Sequence, residues 1–266
     1  MSTRSLSIFS DCFNLSGVNW LLTTILSFGL VASSYVTSPL AAQEQPRQDI
    51  FASRSGIPAA VSVYKGRRVA MTMHYRGAEW LIRNEREREE RCSLMLANLG
   101  IKPGMTVCDM GCGNGFYALQ LAKMVGPKGQ VLGVDIQPEM LKFLRDRMEQ
   151  KNINNITPIL GSLHDPRLPK GQVDLVLLVD VYHEFSHPEQ MLKSIRDSLK
   201  PTGVVALLEY RSEDPKVPIK LLHKMSKNQI LKEFPPNGFK LVREYDKLPW
   251  QHMMFFGRDE TYQPTP

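Results

Sequence analysis

The run Asp109-Met110-Gly111-Cys112-Gly113-Asn114-Gly115 constrains this chain more than any other stretch of it. Glycines at alternate positions let the backbone turn sharply and approach a ligand with no Cβ in the way. Residues 106–110 (TVCDM) read as a short apolar strand ending near Asp109, and residues 116–125 read as a helix. The start of that helix offers free N–H groups. A strand, a tight glycine loop and a helix in this order form the ligand corner of an open α/β sheet, which binds at the carboxyl ends of its strands.

The rest of the chain repeats the strand–helix alternation. Residues 130–134 form a second strand, closed by Asp135, and residues 138–151 a helix that starts at Pro138, where a missing N–H costs nothing. Strands follow at 156–160 and 173–179. The latter reads VDLVLLV, nearly all apolar, as expected of a strand covered on both faces. A helix at 188–199, a strand at 204–209, a helix at 227–234 and closing strands at 239–244 and 252–257 complete the pattern. Alternation of this kind implies parallel βαβ units with right-handed crossovers. One domain of residues 80–266 is expected, after a linker and lead-in at 43–79. Residues 80–99 read as its first helix, with the mixed-sign charges of 83–91 (RNEREREER) on its solvent face. With 42% hydrophobic and 23% charged residues and a scattered excess of six positive charges, the chain has the balance of an ordinary globular protein and no nucleic-acid patch.

Asp135 lies twenty residues beyond Gly115 at the end of the next strand, where a carboxylate can accept both hydroxyls of a ribose. NAD and S-adenosylmethionine both present one. The loop separates them. A dinucleotide fingerprint runs G-x-G-x-x-G and receives a pyrophosphate, whereas this loop runs G-x-G-x-G with Asp109 two residues ahead. That carboxylate repels a pyrophosphate but can accept a hydrogen bond from an amino acid's ammonium group.

On these residues, the chain from about 104 to 257 resembles the class I S-adenosylmethionine-dependent methyltransferases, especially their UbiE-like branch. The resemblance implies an α/β, Rossmann-like fold with a seven-stranded, mostly parallel sheet in the order 3-2-1-4-5-7-6, helices on both faces and strand 7 antiparallel. It implies that Asp109 and the backbone of Gly111, Cys112, Gly113 and Gly115 hold the methionine moiety of S-adenosylmethionine. Asp135 then binds the ribose, and Ile136 and Gln137 pack beside the adenine. The family's usual acid after the third strand is missing. Here Gly161-Ser162-Leu163-His164-Asp165 stands, so either Asp165 or a backbone group meets the adenine amino group.

Methyl transfer from a sulfonium is in-line displacement, so the protein must align the nucleophile and sometimes take its proton. The fourth strand ends in Asp180-Val181-Tyr182-His183-Glu184-Phe185. His183 is the candidate base on pKa grounds, or else it caps the next helix or packs over the cofactor. Tyr182 can line the acceptor pocket, and Asp180 can touch either ligand. The sequence shows no histidine cluster or paired carboxylates, so no metal is expected. A small-molecule or lipid-like acceptor is expected, and DVYHEF in place of an Asn/Asp-Pro-Pro-Tyr tetrapeptide speaks against nucleic acid. A protein methyltransferase, a nicotinamide oxidoreductase and an adenosyl-binding protein without transfer activity are the competing readings.

Residues 18–31 (VNWLLTTILSFGLV) are uncharged and apolar but shorter than an ordinary membrane span of about 20 residues. With SPLAAQEQ after them, residues 1–42 are expected to be a signal peptide or an uncleaved anchor, placing the protein outside the cytoplasm or at a membrane; without that function it is cytoplasmic. Beyond residue 42 stand Cys92, Cys108 and Cys112, an odd number that suits buried space-fillers rather than a disulfide framework.

Overall fold

A computed structural model describes residues 56–263. The expected signal or anchor, and the first part of the lead-in, lie outside these residues. Among the described residues no helix is long and apolar enough to cross a membrane.

In chain order the elements are strands β1 (Val63–Tyr64) and β2 (Arg67–Arg68), helices α1 (Arg86–Glu90) and α2 (Cys92–Ala97), β3 (Thr106–Met110), α3 (Ala118–Val125), β4 (Gln130–Asp135), α4 (Pro138–Gln150), β5 (Ile156–Leu160), β6 (Val173–Val179), α5 (Pro188–Ser198), β7 (Leu199–Tyr210), α6 (Lys227–Glu233), β8 (Phe239–Glu244) and β9 (Gln251–Arg258). Seven strands form one sheet in the order β5-β4-β3-β6-β7-β9-β8. β3, β4, β5, β6 and β7 pair in parallel, and β9 runs antiparallel to both of its neighbours. Numbered from β3, this is the expected 3-2-1-4-5-7-6 order with an antiparallel seventh strand.

Two-residue periodicity divides the core between the faces. Leu175 and Leu177 of β6 join Leu121 of α3 and Leu144 of α4 in one apolar layer. Val176 and Leu178 join Leu192 and Ile195 of α5 and Ile230 of α6 in the other. Because the central strands are buried on both sides, their alternation appears in the sequence only as an unbroken apolar run. Cys92, Cys108 and Cys112 are free and buried within these layers.

Three expectations are corrected. The lead-in is no linker from residue 61 onward: Val61 N donates to Ser186 O at 2.8 Å, and Arg67 pairs with buried Glu233 at 2.8 Å. The single helix expected at 80–99 is a 3₁₀ segment (Tyr75–Ile82) followed by α1 and α2, with Arg91 between them in the left-handed region (φ 52°). The charged run is not all solvated, because Arg86 and Glu90 are buried. Glu90 accepts from Arg83 Nη2 at 2.6 Å, Arg86 Nε at 2.8 Å and the Tyr210 hydroxyl at 2.9 Å. Satisfying this buried carboxylate from three sides turns the helix inward and breaks it.

Candidate functional site

β3 delivers Asp109 to the carboxyl edge of the sheet, buried. One of its oxygens, Oδ2, has no hydrogen-bond partner. Burial raises the carboxyl from its ordinary value to about 7, partly offset by a backbone N–H and by Arg86, and nearby Asp135 adds to the rise. After it the chain turns through Gly111 (φ 68°), where a Cβ would sit 2.5 Å from Val181 Cγ2. It turns again at Gly115 (φ 81°), where a Cβ would sit 2.4 Å from Leu144 Cδ1. Only glycine allows both the twist and the approach. Cys112 is fixed between strands by its N–H to Val134 O at 2.9 Å.

Asp135 closes β4 and clamps the loop. Its Oδ2 accepts from Gly113 N and its Oδ1 from Gln137 N, both at 2.9 Å. Each oxygen keeps lone-pair capacity for a hydroxyl. Ile136 and Gln137 follow, half-buried. Gln137 is engaged on both ends of its amide, taking Tyr75 N at 2.8 Å and donating to Met73 O at 2.9 Å.

These bonds belong to a strap, residues 73–86, that lies over the glycine loop. Asn114 Nδ2 donates to Ala78 O at 2.9 Å, and a Cβ on Gly113 would meet Leu81 Cδ1 at 2.6 Å. Under the strap remains a cavity of about 30 Å³, lined by Leu81, Arg86, Asp109, Gly111, Cys112 and Tyr117 among others. That is the share of volume of about one water molecule. Arg86 enters this cavity stacked on Phe116 and Tyr117, with its Nη1 donating to Leu81 O at 2.7 Å. A guanidinium beside a buried carboxylate with a spare acceptor is a pair of receptors for an α-amino acid zwitterion. Sequence reasoning missed Arg86 because it sits in an alternating charge run that resembles a solvent face.

The structure brings Asp109, the glycine loop, Asp135, Ile136 and Gln137 to one edge. Asp165 stands apart, exposed, with Oδ1 taken by Arg167 N at 2.8 Å in a local turn. Asp180 ends β6 in the left-handed region (φ 52°). Its Oδ2 accepts from Gln251 at 2.6 Å, while Oδ1 is buried without a partner. Burial and the carboxylates of Glu90 and Glu209 hold its carboxyl well above the usual range.

Beyond Asp180, a 3₁₀ turn (Tyr182–Glu184) sends its side chains apart. Tyr182 is corrected as a pocket residue: it is fully buried in the α5–α6 layer, and its hydroxyl donates to Glu233 at 2.7 Å. His183 faces the end of β7. Its Nδ1 lies 2.7 Å from Glu209 Oε2, and its backbone N–H donates to Glu209 Oε1 at 3.1 Å. Burial alone would lower its pKa, but the Glu209 and Glu184 carboxylates outweigh burial and raise it. His183 Nε2 lies 3.1 Å from Nδ1 of His223, forty residues away in sequence. The histidine cluster absent from the sequence is thus assembled by the fold.

Residues 101–253 match the family described as "Methyltransferase domain". The chain belongs to the class I S-adenosylmethionine-dependent methyltransferases. The ubiquinone/menaquinone biosynthesis C-methyltransferase UbiE of Cupriavidus taiwanensis is 36% identical to it over 116 residues, 43% of this chain and 47% of that one. The same-named protein of Ectopseudomonas mendocina is 28% identical over 182 residues, 66% of this chain and 69% of that one. The match spans about half the length of most of these curated relatives. In fold, the methyltransferase resembles a crystal structure of a SAM dependent methyltransferase from Aquifex aeolicus, with a TM-score of 0.66 and 24% identity, covering 70% of this chain and 98% of that one. S-adenosylmethionine is the cofactor this family implies. The donor set fits it, since Asp109 Oδ2 is an orphaned acceptor and the glycine loop is open to close approach. The cavity left beside Asp109 under the strap is smaller than the cofactor.

Proposed function

We propose that this chain transfers a methyl group from S-adenosylmethionine to a small or lipid-like acceptor. The observation that carries the reading is the buried, partnerless Asp109 Oδ2 beside the Arg86 guanidinium. Asp109 accepts from the cofactor's ammonium group and Arg86 pairs with its carboxylate. Asp135 receives the ribose hydroxyls on the faces left free by Gly113 N and Gln137 N. Ile136 and Gln137 border the adenine. Either Asp165, whose Oδ1 is held by Arg167 N, or a backbone group meets the adenine amino group. When bound, the cofactor supplies a methyl carbon already activated by a sulfonium sulfur.

The acceptor side is formed by His183, with Glu209 fixing its ring, and by Asp180 behind it. His183 is placed to hold or take the acceptor's proton. A ligand with an apolar body is favoured by the UbiE relatives, whose name places them in quinone biosynthesis, and by exposed Met71 and Leu221 near this side. Residues 1–42, as a signal or anchor, would bring the domain towards such a ligand at a membrane.

The test is calorimetric titration of the full chain with S-adenosylmethionine, S-adenosylhomocysteine and NAD, repeated on Asp135→Asn. Binding of both adenosyl ligands and not of NAD is expected. The variant should weaken it by about 1.5–3 kcal/mol, the worth of hydrogen bonds to a charged group. Folded protein that binds neither adenosyl ligand would sink the reading.

A further inference from the structure

His183, Glu184 and His223 present ligand atoms that all lie within 4.8 Å of one another. His183 Nε2 is 3.1 Å from His223 Nδ1 and 3.9 Å from Glu184 Oε1. Two ligands at zinc bond lengths in a tetrahedral site stand about 3.3 Å apart, so the His183–His223 edge already fits, the His183–Glu184 edge closes by about 0.6 Å, and the Glu184–His223 edge, within 4.8 Å, closes by a turn of the Glu184 side chain.

The surroundings are those of a built site. Glu209, fully buried, takes Nδ1 of His183 at 2.7 Å. That bond places the proton on Nδ1 and leaves the Nε2 lone pair pointing at the cluster, as in carboxylate–histidine–zinc arrangements. The main chain of His183 is pinned as well: Arg67 Nη1 donates to its carbonyl at 2.8 Å, and Ala70 N does so at 3.1 Å. His223 closes a 3₁₀ turn (Leu221–His223), anchored two residues later where Met225 N donates to Tyr210 O at 2.9 Å. Glu184 receives Met73 N at 3.4 Å on Oε1.

We propose that His183 Nε2, His223 Nδ1 and a Glu184 carboxylate oxygen bind one divalent transition-metal ion, zinc by its preference for two imidazoles and a carboxylate with a fourth position open. Its role deepens the proposed function and rests on it, although the binding itself does not. With the ion bound, His183 Nε2 is a ligand and the ion replaces it as the means of deprotonation: an acceptor hydroxyl or thiol entering the fourth position gives its proton to water and remains on the ion as the anion, the form that attacks a methyl group. Exposed Met71, next to Ala70, and exposed Leu221, in the turn of His223, give the opening an apolar rim. The acceptor class is therefore an apolar molecule carrying a phenol, enol or thiol.

The test uses tag-free, full-length protein stripped with a chelator. Zn²⁺ is titrated in competition with a chromophoric chelator, and Co²⁺ is followed by its visible absorption. We expect one ion per chain at submicromolar affinity and the intense spectrum of tetrahedral cobalt. His223→Ala, at a half-buried position, should lower zinc affinity about 100-fold. Glu209→Gln, which touches no ion, should lower it by about 10–100-fold. Both variants should keep their circular dichroism and their S-adenosylhomocysteine affinity. Folded, S-adenosylhomocysteine-binding protein with no saturable ion at micromolar concentration overturns the site, as does unchanged affinity in His223→Ala. Metal binding without any adenosyl binding would overturn the proposed function and leave the metal site standing.

Discussion

The proton on Asp109 gives the cofactor reading its sharpest quantitative consequence. In the ligand-free fold its carboxyl is raised from 3.8 to about 7, chiefly by burial. An ammonium group binds the ionised form, so the competent fraction of the protein is the ionised fraction. That fraction is about one half at pH 7 and about one hundredth at pH 5, so the apparent affinity falls about 50-fold across this window, or about 2.3 kcal/mol. The ligand's own α-amino group stays charged until about pH 8, so the affinity is flat from there down to neutrality and falls below it. The sign for folding is the reverse. The folded state holds this proton more tightly than the unfolded chain does, so Asp109 contributes stability at low pH that is lost as pH rises from about 4 to 7. Asp109→Asn should therefore melt higher than the native chain at pH 7.5 while binding S-adenosylhomocysteine more weakly and with a shallower slope between pH 5 and 7, the remainder coming from Asp135, whose carboxyl burial also raises. Calorimetry at half-unit pH steps, in pairs of buffers with different ionisation heats, measures both the slope and the protons released. Native protein whose affinity is constant from pH 7 to 5, with no proton release, would refute the assignment of Asp109 to the ammonium group.

Three further outcomes follow from the packing. Leu81→Ala removes the side chain that presses on Gly113 and should speed S-adenosylhomocysteine association severalfold in stopped-flow fluorescence; an unchanged rate would show that the strap is not the barrier to entry. Glu90→Ala leaves Arg86 buried without its carboxylate, while half-buried Arg83 keeps Glu89, and should cost about 3–5 kcal/mol in denaturant unfolding, whereas a cost under about 1 kcal/mol would mean that water reaches the Arg86 guanidinium. Leu192→Ala, at a fully buried position of α5 in the layer packed with α6, should cost about 2–5 kcal/mol with little change in ligand affinity below its melting temperature, since the cavity it leaves lies in the core rather than at the strand ends.

The central sheet was legible because its signals are local. Val173–Val179 carries its burial in seven consecutive residues, and the turn at Gly111 needs glycine whatever surrounds it. What could not be read depends on partners far away in sequence. Glu90 looks like a solvent-facing helix residue until Tyr210 of β7 arrives to bind it. Tyr182 and His183 are neighbours in a strand-end motif, but a 3₁₀ turn rotates successive side chains by about 120°. One is thereby sent into the core towards Glu233, and the other to the sheet edge towards Glu209. His223 carries no motif at all: its meaning comes from the hydrogen bond that ties Met225 back to Tyr210. Asp165 was legible as a carboxylate, but not the local turn in which its Oδ1 accepts Arg167 N.

The strap joins the two halves of the site. Met73 offers its carbonyl to Gln137 on the adenine side and its N–H to Glu184 on the acceptor side, so one residue spans the gap between them. Asn114 and Leu81 hold the same segment down on the glycine loop, the proposed seat of the cofactor's amino acid. We propose that ligand entry breaks the Asn114–Ala78 bond or displaces Leu81. The same movement loosens Met73, and with it the only backbone donor shown on Glu184 among the described residues. A carboxylate released in this way is free to turn towards His183 and His223. Through these two hydrogen bonds of Met73, saturating S-adenosylhomocysteine is expected to change the zinc affinity of the acceptor cluster, and an unchanged Zn²⁺ titration would show that the two sites are independent.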